Sequence, residues 1–187
     1  MTPTEIISQY IPLSDSDRKL IDDGFKKEQI AKGDFLLREG GYAKQLYFVE
    51  NGYVRSFYRK EDGTEKTHWI YSNDEFVTSW YSFFTEKPSF ENLQAISEAS
   101  VYSISTHSYQ KLYSDCEGFN TFINSYYQNL LAELDYLSKV FGQLSAKEKY
   151  EFLLGNHPEL VRDVKLGYLA SLLDISPETL SRVRRKI

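Results

Sequence analysis

Short apolar runs separated by glycine-containing turns fill residues 26–104 and constrain the fold of this chain most. The runs are three to five residues long, as in Leu46–Val49 and Val54–Tyr58. The turn signals between them include Gly40-Gly41, Asn51-Gly52 and Asp62-Gly63, and the last is typical of a β-hairpin. Many short strands separated by such turns predict an antiparallel β-roll or barrel.

Helical patterns flank this region on both sides. Residues 2–25 predict two helices, because Pro12 interrupts the apolar period and Ser14 or Ser16 can cap a second helix. The helical period returns after Thr106. We therefore predict an α+β fold with three parts: a β-roll sensor-like domain with N-terminal helices (1–115), a dimerisation helix (116–144) and a DNA-binding domain (145–187).

The predicted long helix carries a heptad-spaced apolar seam that indicates a homodimer. Its members are separated alternately by four and three residues: Ile123, Tyr127, Leu130, Leu134, Leu137, Phe141 and Leu144. The alternative is that this face lies on the chain's own roll. A second stripe of Phe119, Phe122 and Tyr126 could serve that purpose, which leaves the seam for a partner.

The last twelve residues predict a short basic helix preceded by a tight turn. Ser176 can cap it and Pro177 suits its first position, while Leu180, Val183 and Ile187 fall on one face. The segment has four basic residues and one acidic residue in a chain of net charge −5. A preceding apolar helix over Leu169–Leu173 completes a helix-turn-helix, so the basic face predicts contact with DNA. The alternative is a helix hairpin with a solvated charged face.

Cysteine and histidine usage argues against metal, disulfide and enzymatic chemistry. Cys116 is the single cysteine, and His68, His107 and His157 fall on different predicted elements. We therefore expect no metal site, no cofactor and no catalytic residues, and we expect a non-enzyme in a reducing cytoplasm. No apolar run is long enough to span a bilayer, so no membrane partner is expected.

The motifs at both ends resemble those of the Crp/Fnr family of bacterial transcription regulators. Lys32–Gly40 and Tyr47–Arg55 match the family's roll pattern KGxxLxxxG followed by YFVxxGxVR, and Glu178–Arg182 matches its E-T-x-S-R recognition helix. Residues 146–150 and 169–173 are similar to small Crp-like regulators common in Bacteroidetes.

The resemblance implies a sequence-specific regulator that binds a pseudo-palindromic DNA site as a homodimer, with RNA polymerase as a further partner. It implies that Glu178, Ser181 and Arg182 read base edges, for which their side chains are chemically suited. We expect the other residues of the interface to meet phosphates or to start the helix: Ser176, Thr179, Arg184, Arg185 and Lys186.

Two departures from the family pattern qualify this expectation. Cyclic-nucleotide-binding members carry a Gly-Glu pair and an Arg-Ser or Arg-Thr pair in a region where this chain has Thr78–Tyr81 and then Lys87–Glu91. No arginine lies between Arg59 and Arg162, so we expect no response to cyclic nucleotides. An unknown small apolar effector could instead bind near Trp80, Tyr81, Ser89 and Phe90. The chain also stops at Ile187, which predicts a helix-turn-helix without a C-terminal wing.

A second hypothesis from a different functional class stays open. In it, the roll is a sensor or scaffold that acts through protein partners, and its helix-turn-helix is degenerate. Salt-dependent, sequence-selective binding to promoter DNA distinguishes the two hypotheses.

Overall fold

A computed structural model describes residues 1–186, which fold into two compact units. The first unit comprises Met1–Ser56 and Tyr71–Gln128, and the second comprises Phe57–Ile70 and the chain from Asn129 onward. The described chain has eight strands: β1 (Lys26–Ile30), β2 (Phe35–Leu37), β3 (Gln45–Asn51), β4 (Val54–Arg59), β5 (Glu65–Tyr71), β6 (Phe76–Val77), β7 (Asn92–Ala95) and β8 (Ala99–Ser105).

Nine α-helices accompany the strands within residues 1–186. They are α1 (Pro3–Tyr10), α2 (Asp15–Gly24), α3 (Trp80–Thr85), α4 (Thr106–Asp115), α5 (Glu117–Lys139), α6 (Ala146–Asn156), α7 (Pro158–Asp163), α8 (Leu166–Leu173) and α9 (Pro177–Arg184). A single 3₁₀ turn, Phe141–Gln143, follows α5. None of the described helices is long and apolar enough to cross a lipid bilayer.

The strands form two four-stranded sheets, which confirms the predicted β-roll. The first sheet has the order β1-β8-β3-β6, and the second has the order β2-β7-β4-β5. Strands β1 and β8 pair antiparallel from Lys26 opposite Ser103 to Ile30 opposite Ala99. The register of β3 on β8 shifts between Val49 and Asn51, just before the β3–β4 turn.

Glycine is required at the tip of that turn. Gly52 has a φ of 106°, and a Cβ atom there would lie 2.5 Å from the carbonyl oxygen of Glu98. A side chain at this position would therefore clash with the neighbouring backbone, and it would also strain the backbone of residue 52 itself. The Asn-Gly turn signal in the sequence thus coincides with a close approach of the β3–β4 turn to the backbone at Glu98.

Aromatic and aliphatic side chains from the strands and helices of the first unit form its core. Phe48 and Phe76 are almost fully buried, with ring centroids 5.0 Å apart, and Phe119 at the start of α5 packs into the same cluster. Both N-terminal helices begin with a capping box, on Thr2 and Ser14 respectively. Ser14 is therefore the cap of the second helix.

The long helix differs from its predicted extent, and this corrects the proposed seam. It ends at Lys139, so Phe141 lies in the 3₁₀ turn and Leu144 follows it. Ile123 has no exposed surface and belongs to the core of the first unit. The hydroxyl of Tyr127 lies 2.7 Å from that of Tyr109, so this ring also packs on its own unit. In the first half of α5, both apolar stripes therefore pack against the core of the first unit.

The seam residues that remain on helix α5 lie in its second half. Leu134 is 45 % exposed, Leu130 and Leu137 are half-buried, and the adjacent Leu131 is 70 % exposed. Phe141 instead packs on Phe152 of α6, with ring centroids 5.6 Å apart. On helix α5 itself, the part of the predicted seam that has exposed surface therefore runs from Leu130 to Leu137.

The second unit contains the β4–β5 hairpin segment, the second half of α5 and helices α6 to α9. One buried apolar residue from each of helices α6 to α9 contributes to its interior: Leu153, Leu160, Leu169 and Leu180. Helix α6 starts with a capping box on Ser145 and Glu148, as the Ser-Ala-Lys-Glu sequence suggests.

Candidate nucleic-acid interface

Helices α8 and α9 are joined by a three-residue turn of defined geometry. Asp174 adopts the left-handed conformation, with φ 56° and ψ 46°. Its N–H donates to the carbonyl of Ser171, and the N–H of Ile175 donates to that of Ala170 over 3.0 Å. This pair of hydrogen bonds is the Schellman motif, in which glycine is the usual left-handed residue. Aspartate tolerates the same conformation because its short polar side chain can hydrogen-bond locally.

Helix α9 begins as its sequence predicts. The Ser176 hydroxyl accepts a hydrogen bond from the N–H of Thr179 over 3.1 Å, and Pro177 occupies the first helical position. The pKa of the Glu178 carboxyl is held below its usual range, first by its own backbone N–H and then by the Ser176 hydroxyl. Glu178 is therefore ionised and able to accept hydrogen bonds at neutral pH.

The two faces of α9 differ in burial as a groove-reading helix requires. Leu180 has no exposed surface, and Val183 is half-buried beside it. The outer positions are exposed at Glu178 and Arg182 and partly exposed at Thr179 and Ser181. The inward anchor on the second unit therefore leaves the predicted base-reading side chains free of the core.

The basic side chains at the end of α9 are exposed and have no acidic partners among residues 1–186. Arg182 makes only a 3.4 Å hydrogen bond to the Thr179 hydroxyl, and Arg185 makes long bonds of 3.4 and 3.5 Å to Ser181. Arg184 is the last helical residue, so Arg185 and Lys186 lie just beyond the helix. Ile187, predicted to share the apolar face, lies outside the described residues.

Two lysines distant in sequence bind the end of α8, and nothing in the sequence pattern identified them. Lys66 of β5 donates to the Ser171 carbonyl over 2.7 Å and to the Asp174 carboxylate over 2.8 Å. The buried Lys149 of α6 donates to the Leu173 carbonyl over 3.2 Å. The Lys66 ammonium holds the pKa of Asp174 below its usual range. Cations are favourable at a helix C-terminus because the last carbonyls carry partial negative charge.

The four residues proposed for an effector pocket are distributed between surface and interior. Tyr81 and Phe90 are 44 % and 51 % exposed, with ring centroids 5.8 Å apart. Trp80 packs on Tyr127 of α5, and Ser89 is buried. The cleft of about 130 Å³ in the first unit is lined by other residues: Leu36, Leu37, Tyr42, Ala43, Lys44, Gln45, Tyr47, Thr78 and Leu93.

Two serines from the region in which the family pattern places its ligand-binding pairs, Ser79 and Ser89, are joined by hydrogen bonds. The Ser89 hydroxyl donates to the Ser79 hydroxyl over 3.0 Å and lies 2.8 Å from the Glu91 carbonyl oxygen. Both serines are buried. Arg55, the one buried arginine among the described residues, has its Nη2 3.5 Å from the Gln94 side-chain oxygen.

The remaining nucleophilic and metal-ligating side chains do not converge. Residues 1–186 contain no group of three or more His, Cys, Asp or Glu side chains placed to hold a metal ion. Cys116 is buried, and burial is the main cause that raises its pKa to about 11. Its thiol is therefore protonated and unreactive at neutral pH.

Residues 27–116 match the cyclic nucleotide-binding domain family. No curated protein sequence matches the chain significantly. Among solved structures, the chain is similar to the c-di-GMP responsive global regulator CLP from Xanthomonas campestris, at a TM-score of 0.70 and 19 % identity, over 92 % of this chain and 91 % of that one. It is also similar to FixK2 from Bradyrhizobium japonicum, at a TM-score of 0.68 and 20 % identity, over 87 % and 83 % of the two chains.

A third similar structure is assigned to the crp/fnr family of transcriptional regulators. It comes from Eubacterium rectale and shares a TM-score of 0.67 and 18 % identity, over 95 % of this chain and 87 % of that one. These matches confirm the resemblance that the two end motifs predicted. Residues 27–116 are therefore similar to the cyclic nucleotide-binding domain family, and the chain has the fold of these three regulators.

Proposed function

We propose that this chain is a homodimeric, sequence-specific DNA-binding transcription regulator. The observation that carries the proposal is the arrangement of α8, the Asp174 turn and α9, with Leu180 buried on one side and basic residues exposed on the other. A helix anchored this way can enter a major groove without disturbing its own support.

The outer face of α9 has the side chains that base reading requires. Arg182 can donate two parallel hydrogen bonds to a guanine, and the ionised Glu178 can accept from a cytosine amino group. Ser181, one turn after Glu178 and next to Arg182 in the sequence, can serve as donor or acceptor. These three residues are the proposed readers of sequence.

The other polar residues of the interface are proposed to bind the DNA backbone. Arg184, Arg185 and Lys186 are exposed, and within the described residues they have no carboxylate partner that would compete with a phosphate. Thr179 lies in the first turn, where backbone N–H groups also point outward. Such contacts set affinity and register without reading sequence.

Dimerisation is proposed to use the second half of α5. Leu131 and Leu134 are 70 % and 45 % exposed, and Leu130 and Leu137 are half-buried beside them. Exposed leucines at this density on one helix cost free energy in water, which pairing with the same helix of a second copy would recover. A two-fold dimer would read a pseudo-palindrome with half-site centres about 34–36 Å apart.

We further propose that cyclic nucleotides do not control this regulator. Support comes from the Ser79–Ser89 hydrogen bond, because these buried hydroxyls satisfy one another where a ribose carboxylate and a phosphate-binding arginine would be needed. A buried phosphate without a cation in contact would be poorly compensated.

Selection of bound sequences from random duplexes, followed by titration over a range of salt concentrations, tests the proposal. We expect one enriched pseudo-palindrome and an affinity that falls steeply with salt. Binding with no sequence preference, or no binding at all, would contradict it. If the chain binds protein partners but no DNA, the result would favour the sensor or scaffold hypothesis.

A further inference from the structure

Strand β5 has a free edge that helix α8 covers in an unusual way. Because β5 is last in the order β2-β7-β4-β5, one of its edges has no neighbouring strand within residues 1–186 to pair with its backbone N–H and C=O groups. The Ser171 hydroxyl of α8 accepts from the N–H of Thr67 over 2.8 Å and donates to the carbonyl of Glu65 over 3.2 Å. One helical side chain thus takes the place of a strand residue.

Lys66, between those two strand residues, reaches the same helix with its side chain. Its ammonium lies 2.7 Å from the Ser171 carbonyl oxygen and 2.8 Å from an Asp174 carboxylate oxygen. The side chain is only 19 % exposed, whereas that of Asp174 is 69 % exposed. The lysine is therefore held in place, and its charge is directed at the last turn of α8.

These contacts converge on the turn that leads from α8 into α9. Asp174 is the left-handed residue of the turn, and α9 starts two residues later with its Ser176 cap. Strand and turn belong to one compact unit, which includes 57–70 together with α8 and α9. A change at Lys66 therefore acts on the turn directly, within a single folded body.

We propose that Lys66 and Ser171 form a clasp that fixes the Asp174 turn, so that Lys66 is a positioning residue for the DNA-reading helix. The inference rests on the DNA-binding function proposed above and extends it to a strand residue more than a hundred positions away in sequence. Lys66 acts through the turn and does not touch DNA.

The helix-turn-helix itself should survive the loss of the clasp. Lys149 still binds the Leu173 carbonyl, and both hydrogen bonds of the Schellman turn are donated by backbone N–H groups, so Lys66 shares only their Ser171 acceptor. Leu169, Leu173 and Leu180 remain buried in either case. Removing Lys66 should therefore change the position of α9 rather than unfold it.

The experiment compares Lys66→Met with Lys60→Met in the full-length protein. Methionine keeps the apolar stem of lysine and removes its charge. Lys60 lines the same groove, of about 280 Å³, beside Ser171 and Ser176, but it makes no hydrogen bond to α8, so it is a matched control for charge. DNA affinity is measured at several salt concentrations, and backbone amide shifts of α9 are measured by NMR without DNA.

We expect Lys66→Met to weaken binding about 5- to 30-fold, within the range of couplings between linked sites, and to leave the salt slope unchanged. Amides from Thr179 to Val183 should shift more than in Lys60→Met. Lys66→Arg, which keeps a donor and a charge, should restore most of the affinity. Asp174→Asn should have little further effect in the Lys66→Met background, because both changes break the same contact.

Two results would overturn the clasp. One is a Lys66→Met protein whose affinity and α9 shifts match those of the unaltered protein. The other is a salt slope reduced by about one unit per half-site, which would make Lys66 a phosphate contact. If the unaltered protein binds no DNA, the proposed function fails, and the α9 shifts alone then support or refute the positioning role.

Discussion

Replacing Arg182 by alanine tests the groove-reading geometry most directly. The side chain is exposed, and its one hydrogen bond is a 3.4 Å contact with the Thr179 hydroxyl. Alanine is the best helix former, and loss of a cation from the last turn costs only about 0.3–1 kcal/mol. The folded state should therefore be affected little, and a loss of DNA affinity can be assigned to the interface.

The expected loss follows from the bidentate hydrogen bonds that one guanidinium makes to a guanine. Such a pair is worth about 1–3 kcal/mol of discrimination, so a dimer with two half-sites loses about 2–6 kcal/mol on a full operator. At 1.4 kcal/mol per tenfold change, this corresponds to about 30-fold to 10⁴-fold in affinity. Preference should relax at one base pair in each half-site and stay unchanged elsewhere.

Binding curves on the selected operator and on operators changed at single positions measure both effects. Arg185→Ala is the control, because Arg185 caps the end of α9 and is expected to meet phosphate. It should weaken binding to every sequence alike and lower the salt slope by roughly one unit per half-site. Arg182→Lys should recover only part of the base preference, since an ammonium lacks the rigid planar fork with which a guanidinium meets two acceptors.

The reasoning would be refuted by an Arg182→Ala protein that is folded and dimeric and keeps both the affinity and the base preference of the unaltered protein. Circular dichroism and a size measurement establish the fold and the dimer before the binding data are read. An equal loss of affinity for all operators would instead indicate that Arg182 contacts the DNA phosphate backbone and that neighbouring residues read the bases.

Three further predictions concern dimerisation, ligand response and acid stability. Changing Leu134 and Leu137 to Asp should give monomers by light scattering, while Ala132→Asp on the opposite side of the helix should stay dimeric; a monomeric unaltered protein at micromolar concentration would contradict the seam. Calorimetry with millimolar cAMP should show no specific heat, and saturable micromolar binding would disprove the closed serine site. The Ser14 hydroxyl is the main cause that lowers the pKa of Asp17 from its ordinary 3.8, so its stabilisation is full above that pH and is lost as pH falls through the lower folded value. Asp17→Asn should flatten the acid side of the stability profile, and an unchanged profile would contradict this.

Local signals in the sequence were sufficient where one segment decides its own conformation. The Asn51-Gly52 turn, the Ser14 and Ser176 caps and the Pro177 start all appear in the structure as the residues indicate. These features depend on a few neighbouring backbone groups, so a short stretch of sequence contains the physical cause. The amphipathic pattern of α9 belongs to the same class, because burial of Leu180 follows from helical spacing alone.

The long helix shows where such a pattern is ambiguous. A heptad spacing states that one face is apolar, but it does not state what covers that face. In the structure, Ile123 and Tyr127 are covered by the chain's own core, and the helix ends at Lys139 before the seam does. The contacts that decide this come from distant elements such as α4, whose Tyr109 meets Tyr127.

The β-roll, the capped helix-turn-helix and the basic outer face of α9 could be predicted from the residues alone, because periodicity, turn residues and charge are local properties. Three features depend on packing: which half of α5 is exposed, the hydrogen bond between Ser79 and Ser89, and the contact of Lys66 with the Asp174 turn. Each of these features results from contacts between residues in different segments of the chain. Their cause is the way strands and helices pack, which no single segment encodes.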